Sequence, residues 1–241
     1  MRRSLGLLLG VALLALSCGL VGTALGMGGE TPAPSAPSER AAVSARPDAP
    51  QARPLLVVIG ASFAAGVGAG HRSDAWPADL ARMLHWRLAV SADPGAGYVN
   101  PGFRDRGPFA RLAAGLGLAH LDPAVVLVQG GHDDIGEPLS LVHQRVASLL
   151  ATIRREAPNA RVGVVTVFWT GKRPSPAAMS VDRAIVAAAR QADPPVMVFD
   201  PLAAHWRFPR IGDQLHPSPA GHRWIAIRLA AALQPHGVTQ A

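Results

Sequence analysis

From residue 54 onward, short apolar runs alternate with longer stretches in which apolar residues recur every three to four positions. The short runs are "PLLVVIG" (54–60), "RLAVSA" (87–92), "AVVLVQG" (124–130), "RVGVVTVFW" (161–169) and "PVMVFDP" (195–201). They are nearly continuous in valine, leucine and isoleucine, the pattern of strands covered on both faces. Between and after them, "WPADLARMLHW", "GPFARLAAGLGLAHL", "LSLVHQRVASLLATIRREA", "SPAAMSVDRAIVAAARQA" and "AGHRWIAIRLAAAL" fit helices. The last of these has its entry marked by Ser218, a capping residue, and Pro219, which suits the first helical position. Strand and helix in succession predict parallel strands joined by right-handed crossovers. The expected fold is a three-layer α/β/α sandwich around a mainly five-stranded parallel sheet. In an open sheet of this kind the ligand crevice lies beyond the carboxyl ends of the strands.

Residues before 54 follow a different pattern. "MRRSLGLLLGVALLALSCGLVGTALG" places two arginines ahead of an apolar run and then small residues, as an export signal does. The run is also long enough to span a bilayer once, so a cleaved signal and a single membrane anchor are equally compatible with it. "ALSCG" loosely resembles a lipoprotein box, with Ala15 where leucine is usual, and makes a lipidated Cys18 the third option. All three place the following domain outside the cytoplasm, secreted or attached to the envelope. Residues 27–53, dense in Pro, Ala and Ser, bury too little to offset their ordering entropy and are expected to form a tether. The chain thus divides into a signal or anchor (1–26), a linker (27–53) and a folded domain (54–241).

Composition narrows the function. With 241 residues and 49% hydrophobic content the chain can fill one substantial core. The net charge is +7, but the basic residues are scattered, never more than two together, and Lys172 is the only lysine. No basic run interleaved with aromatics offers a grip on nucleic acid, and the excess suits anionic surfaces such as a bacterial envelope. A single cysteine, Cys18, excludes an internal disulfide and a cysteine-based metal site.

The chemistry is concentrated where strands end. The first strand is followed by "GASFAAGVGAG" with Ser62, the second by "ADPGAGYVNPG", the third by "QGGHDDIG". A short helix is expected after the fifth strand, and beyond it comes "DQLHPSPAGH", with Asp213 three residues ahead of His216. A serine hydroxyl becomes nucleophilic when a neutral imidazole accepts its proton and a carboxylate fixes that imidazole's tautomer. Asp213 and His216 on one loop, braced by Pro217 and Pro219, are the residues for that task, and Ser62 is the hydroxyl. "GVGAG" lacks dinucleotide-binding spacing, and no Gly-x-Ser-x-Gly elbow occurs.

These blocks resemble those of the SGNH hydrolases, the GDSL esterase and lipase superfamily, over most of residues 54–234. Gly60-Ala61-Ser62 stands for the first block, Gly95 or Gly97 for the second, Gly131-His132-Asp133-Asp134 for the third, and "DQLHP" matches the fourth. The resemblance implies a serine esterase acting through an acyl-enzyme, with Ser62, Asp213 and His216 catalytic and an oxyanion hole built from Ser62, Gly95 and the residue at 133. Spacing favours Gly95, with Gly97 the alternative. It further implies a small-molecule, lipid or carbohydrate ester as substrate and neither cofactor nor metal; a monomer is expected.

Two positions depart from the family pattern. Ala61 replaces an aspartate of supporting role. Asp133 replaces the asparagine whose amide is an oxyanion donor, and an ionised carboxylate has no proton to give. Three remedies are open: an apolar setting that keeps Asp133 protonated, His132 turned inward as donor, or reliance on the two backbone donors. If none operates, the chain is a binding protein on a hydrolase fold; acyl transfer to a sugar or lipid alcohol would use the same residues as hydrolysis. Asp134 is expected to brace its loop by accepting backbone hydrogen bonds. Trp169 is expected to line the cleft, and His222 to cover the first turn of the last helix.

Overall fold

The computed structural model describes residues 53–169 and 173–241. The proposed signal or anchor, Cys18 and the linker up to residue 52 lie outside the described residues. Five strands, β1 (Leu55–Gly60), β2 (Arg87–Ala92), β3 (Val125–Gln129), β4 (Arg161–Val165) and β5 (Met197–Phe199), form one sheet in the order β2-β1-β3-β4-β5. Every pairing is parallel, with Leu56 opposite both Leu88 and Val125. Among the described residues seven α-helices cover it: α1 (Ser62–Ala65), α2 (Trp76–Leu84), α3 (Phe109–Ala114), α4 (Leu118–Leu121), α5 (Leu139–Glu156), α6 (Pro176–Arg190) and α7 (Pro219–Leu233).

Alternate residues of the central strands feed two cores. Val57, Ile59, Val126, Val128 and Val164 pack with α3, α4, α5 and α6. Leu56, Val58, Val125, Leu127 and Val165 pack on the opposite face with α1, α2 and α7. Burial on both faces is why β1 and β3 are unbroken apolar runs. The sandwich expected from the sequence is the fold observed.

Three local expectations need correction. β2 is an edge strand and only half covered: Arg87 and Val90 are exposed, because nothing pairs with its outer side. The pattern at 107–121 is two helices, interrupted around Gly115 and Gly117, the latter at φ 64°. In place of a short helix after β5 the chain makes turns around Asp200, whose carboxylate takes the Ala203 N–H at 2.7 Å. The entry to α7 is as expected, with Ser218 Oγ accepting from Gly221 N at 3.3 Å and Pro219 in the first turn.

Candidate active site

β1 ends at Gly60, and the chain turns at once into α1, whose first residue is Ser62. A Cβ on Gly60 would lie 2.7 Å from Ala64 Cβ and 2.9 Å from the Gln129 carbonyl oxygen. Only glycine lets so tight a turn lie against β3, and the turn sets Ser62 at the carboxyl edge of the sheet with 8% of its surface exposed. As the first residue of a helix, Ser62 has an N–H without an intrahelical partner.

The Asp213–His216 loop is closed by its own backbone. Ile211 N–H donates to His216 O at 3.0 Å and Ser218 N–H to Pro209 O at 3.0 Å, with an antiparallel bridge between Arg210 and Pro217. Within this frame Asp213 Oδ1 accepts the N–H groups of Leu215 and His216, both at 2.9 Å, a local turn typical of aspartate. Asp213 Oδ2 lies 2.6 Å from His216 Nδ1. The hydrogen bond to His216, helped by the two backbone donors, holds the Asp213 carboxyl down at about 2, so it is ionised at neutral pH. An ionised acceptor at Nδ1 favours the tautomer with its proton on that nitrogen and Nε2 free to accept one.

This loop reaches the serine turn. The ring of Phe63, next in sequence to Ser62, lies 5.6 Å from the His216 ring between centroids. Gly68, in the loop leaving α1, runs so close to Pro217 that a Cβ there would sit 2.2 Å from its carbonyl oxygen. Among the described residues no hydrogen bond joins Ser62 to His216. Such bonds commonly tighten only when substrate is bound.

The loop after β2 distinguishes the two glycines. Gly97 N–H donates to Asn100 O at 3.0 Å, so its proton is already committed within the loop. Gly95, at φ 80°, makes no such bond among the described residues. Gly97 has a packing role instead: a Cβ would meet Asp134 Oδ1 at 2.3 Å. Asp134, fully buried, accepts from Tyr98 N at 2.9 Å, Val99 N at 2.9 Å and Asn100 N at 3.4 Å. That is the loop-bracing role expected for it.

Asp133 is partly buried, and burial first, then the Asp134 charge, raise its carboxyl to about 6, opposed by His216. Its neighbour His132 packs against Trp169, with ring centroids 6.3 Å apart. Burial lowers the His132 pKa, favouring the neutral imidazole, and Nδ1 is buried without a hydrogen-bond partner. Trp169 also lines a cavity of about 100 Å³ with Trp206 and Phe208. No cluster of three His, Cys, Asp or Glu suited to a metal occurs among the described residues.

Two positions have roles that sequence reasoning did not find. His222 is fully buried: Nδ1 accepts from Trp76 N at 3.2 Å and Nε2 faces Val67 O at 3.0 Å. It therefore ties the loop after Ser62 and the start of α2 to α7, in place of the expected cover for one turn. Asp93, also fully buried, holds the loop after β2 through Arg104 N at 3.3 Å. Its position directly after a strand, ahead of Pro and Gly, was the available signal.

Residues 58–224 match the model of the GDSL-like Lipase/Acylhydrolase family. A GDSL lipase of Mycobacterium tuberculosis is 33% identical over 190 residues, 73% of this chain and 79% of the relative. Among solved structures, a family two carbohydrate esterase from Clostridium thermocellum, in complex with cellohexaose, superposes with a TM-score of 0.61 at 19% identity, over 78% of this chain and 66% of that one. The psychrotrophic esterase EstA from Pseudoalteromonas gives 0.59 at 15% identity, over 76% and 97%. The chain belongs to the GDSL-like lipase/acylhydrolase family, and is an ester hydrolase of the SGNH type.

Proposed function

We propose that this protein is an extracytoplasmic serine esterase that cleaves acyl esters through a covalent acyl-enzyme. The observation that carries the reading is the 2.6 Å Asp213–His216 pair, on a loop whose histidine packs on the residue next to Ser62. His216 Nε2 takes the Ser62 proton as Oγ bonds to the acyl carbon. The imidazolium then returns that proton to the departing alcohol as the ester C–O bond breaks. Water, deprotonated by the same nitrogen, releases the acid and restores Ser62. The N–H groups of Ser62 and Gly95 hold the oxyanion, and Asp133 adds a third donor while it is protonated. The mycobacterial relative's description as a lipase supports acyl esters as the substrate class. The N-terminal arginines and apolar run support export.

The experiment is labelling of the purified chain with a fluorophosphonate. Wild type should be labelled and Ser62→Ala should not; labelling that survives the substitution overturns the nucleophile assignment. A second reading, a binding protein that has lost turnover, is favoured by Asp133, whose carboxyl at about 6 is mostly ionised at neutral pH. Absence of labelling at both pH 5.5 and pH 8 would establish that reading instead.

A further inference from the structure

The outer edge of the sheet carries a groove remote in kind from the polar site. Leu88 and Val90 of β2 form its floor, Ala64 and Ala65 of α1 line one wall, and it encloses about 220 Å³. Val90, 41% exposed, is one of few large apolar side chains left open to water. The groove has room for one hydrocarbon segment but not for a folded peptide. Arg72 and Arg106 also border the groove, and no carboxylate does. Neither guanidinium has an ion-pair or side-chain hydrogen-bond partner among the described residues.

A trough lined by aliphatic side chains and bordered by two unpaired cations is complementary to one kind of molecule: a single hydrocarbon chain ending in an anion. A neutral chain would leave the guanidiniums unmatched, and a small anion would leave the trough wet. We propose that this groove is a binding site for a free medium-chain carboxylate, its chain on Leu88 and Val90 and its head between Arg72 and Arg106. The site does not use Ser62, Asp213 or His216, so it stands whether or not the esterase reading does.

The test is calorimetric titration of the full chain with monomeric dodecanoate. One saturable site is expected, with dodecanol at least about tenfold weaker. The double variant Arg72→Gln/Arg106→Gln should lose about tenfold in affinity, as two partly solvated charge contacts would. Ala78→Phe, which fills the groove from α2, should abolish binding while hydrolysis of a short water-soluble ester persists. No dodecanoate binding, equal binding of dodecanol, or affinity unchanged in the two variants would each overturn the proposal. The double variant keeps the test valid if Ala78→Phe fails to fold. Loss of hydrolysis with dodecanoate binding intact would count against the esterase reading alone.

Discussion

Two loops of the candidate site are held in place by opposite means. The Asp213–His216 loop is exposed and self-contained: its carboxylate, imidazole and backbone donors all fall within a few residues of one another. The loop after β2 is held from a distance by the buried carboxylate of Asp134, more than thirty residues away in sequence. Losing a local tie should leave the fold intact and remove only its chemistry. Losing a buried tie should unsettle both, because the N–H groups it served are left without acceptors in a place water cannot reach.

Substitutions can break this contrast. The largest effect is expected at the exposed loop: Asp213→Asn should lower kcat by about 10³-fold or more, through loss of the tautomer that frees Nε2. Its melting temperature at pH 7 should stay near that of wild type, since side-chain exposure at Asp213 is 41%. A large drop in Tm would show that the loop is not self-contained. Asp134→Ala should cost about 3 kcal/mol of stability, read from chemical denaturation, as three backbone donors lose their acceptor. It should also reduce kcat; stability within error of wild type would refute the bracing role.

The smallest effect sharpens the contrast at Asp133. Its folded carboxyl lies above the unfolded value, so its contribution to stability is fully present below about 4 and lost as pH rises through about 6. Asp133→Asn should match wild type in Tm at pH 4 and exceed it at pH 8. On the proposed mechanism the same ionisation removes an oxyanion donor, so at pH 8 the variant should turn over about tenfold faster. A lower rate at pH 8 would mean that the carboxylate itself assists the reaction.

The legibility of each part in the sequence follows the same division. β1 and β3 were readable because burial on both faces leaves an uninterrupted apolar run. The edge position of β2 was not, since the exposure of "RLAVSA" depends on strand order, which no local pattern records. Asp213 and His216 declared themselves by spacing, as contacts made within one turn of chain must. Asp134 was legible as a brace and spacing favoured Gly95 over Gly97, but that the Gly97 N–H is engaged within its own loop was not legible. His222 was out of reach, because its bond to Trp76 crosses 146 positions and nothing in the local pattern of α7 marks it.

That long bond has a consequence for how the protein is made. His222 clasps the carbonyl of Val67 and the amide of Trp76, while Pro217 rests on Gly68. The opening turn of the domain is thus completed by its closing helix. A ribosome making this chain delivers Ser62 well before His222, so the loop after Ser62 is tied in place only once α7 has been made.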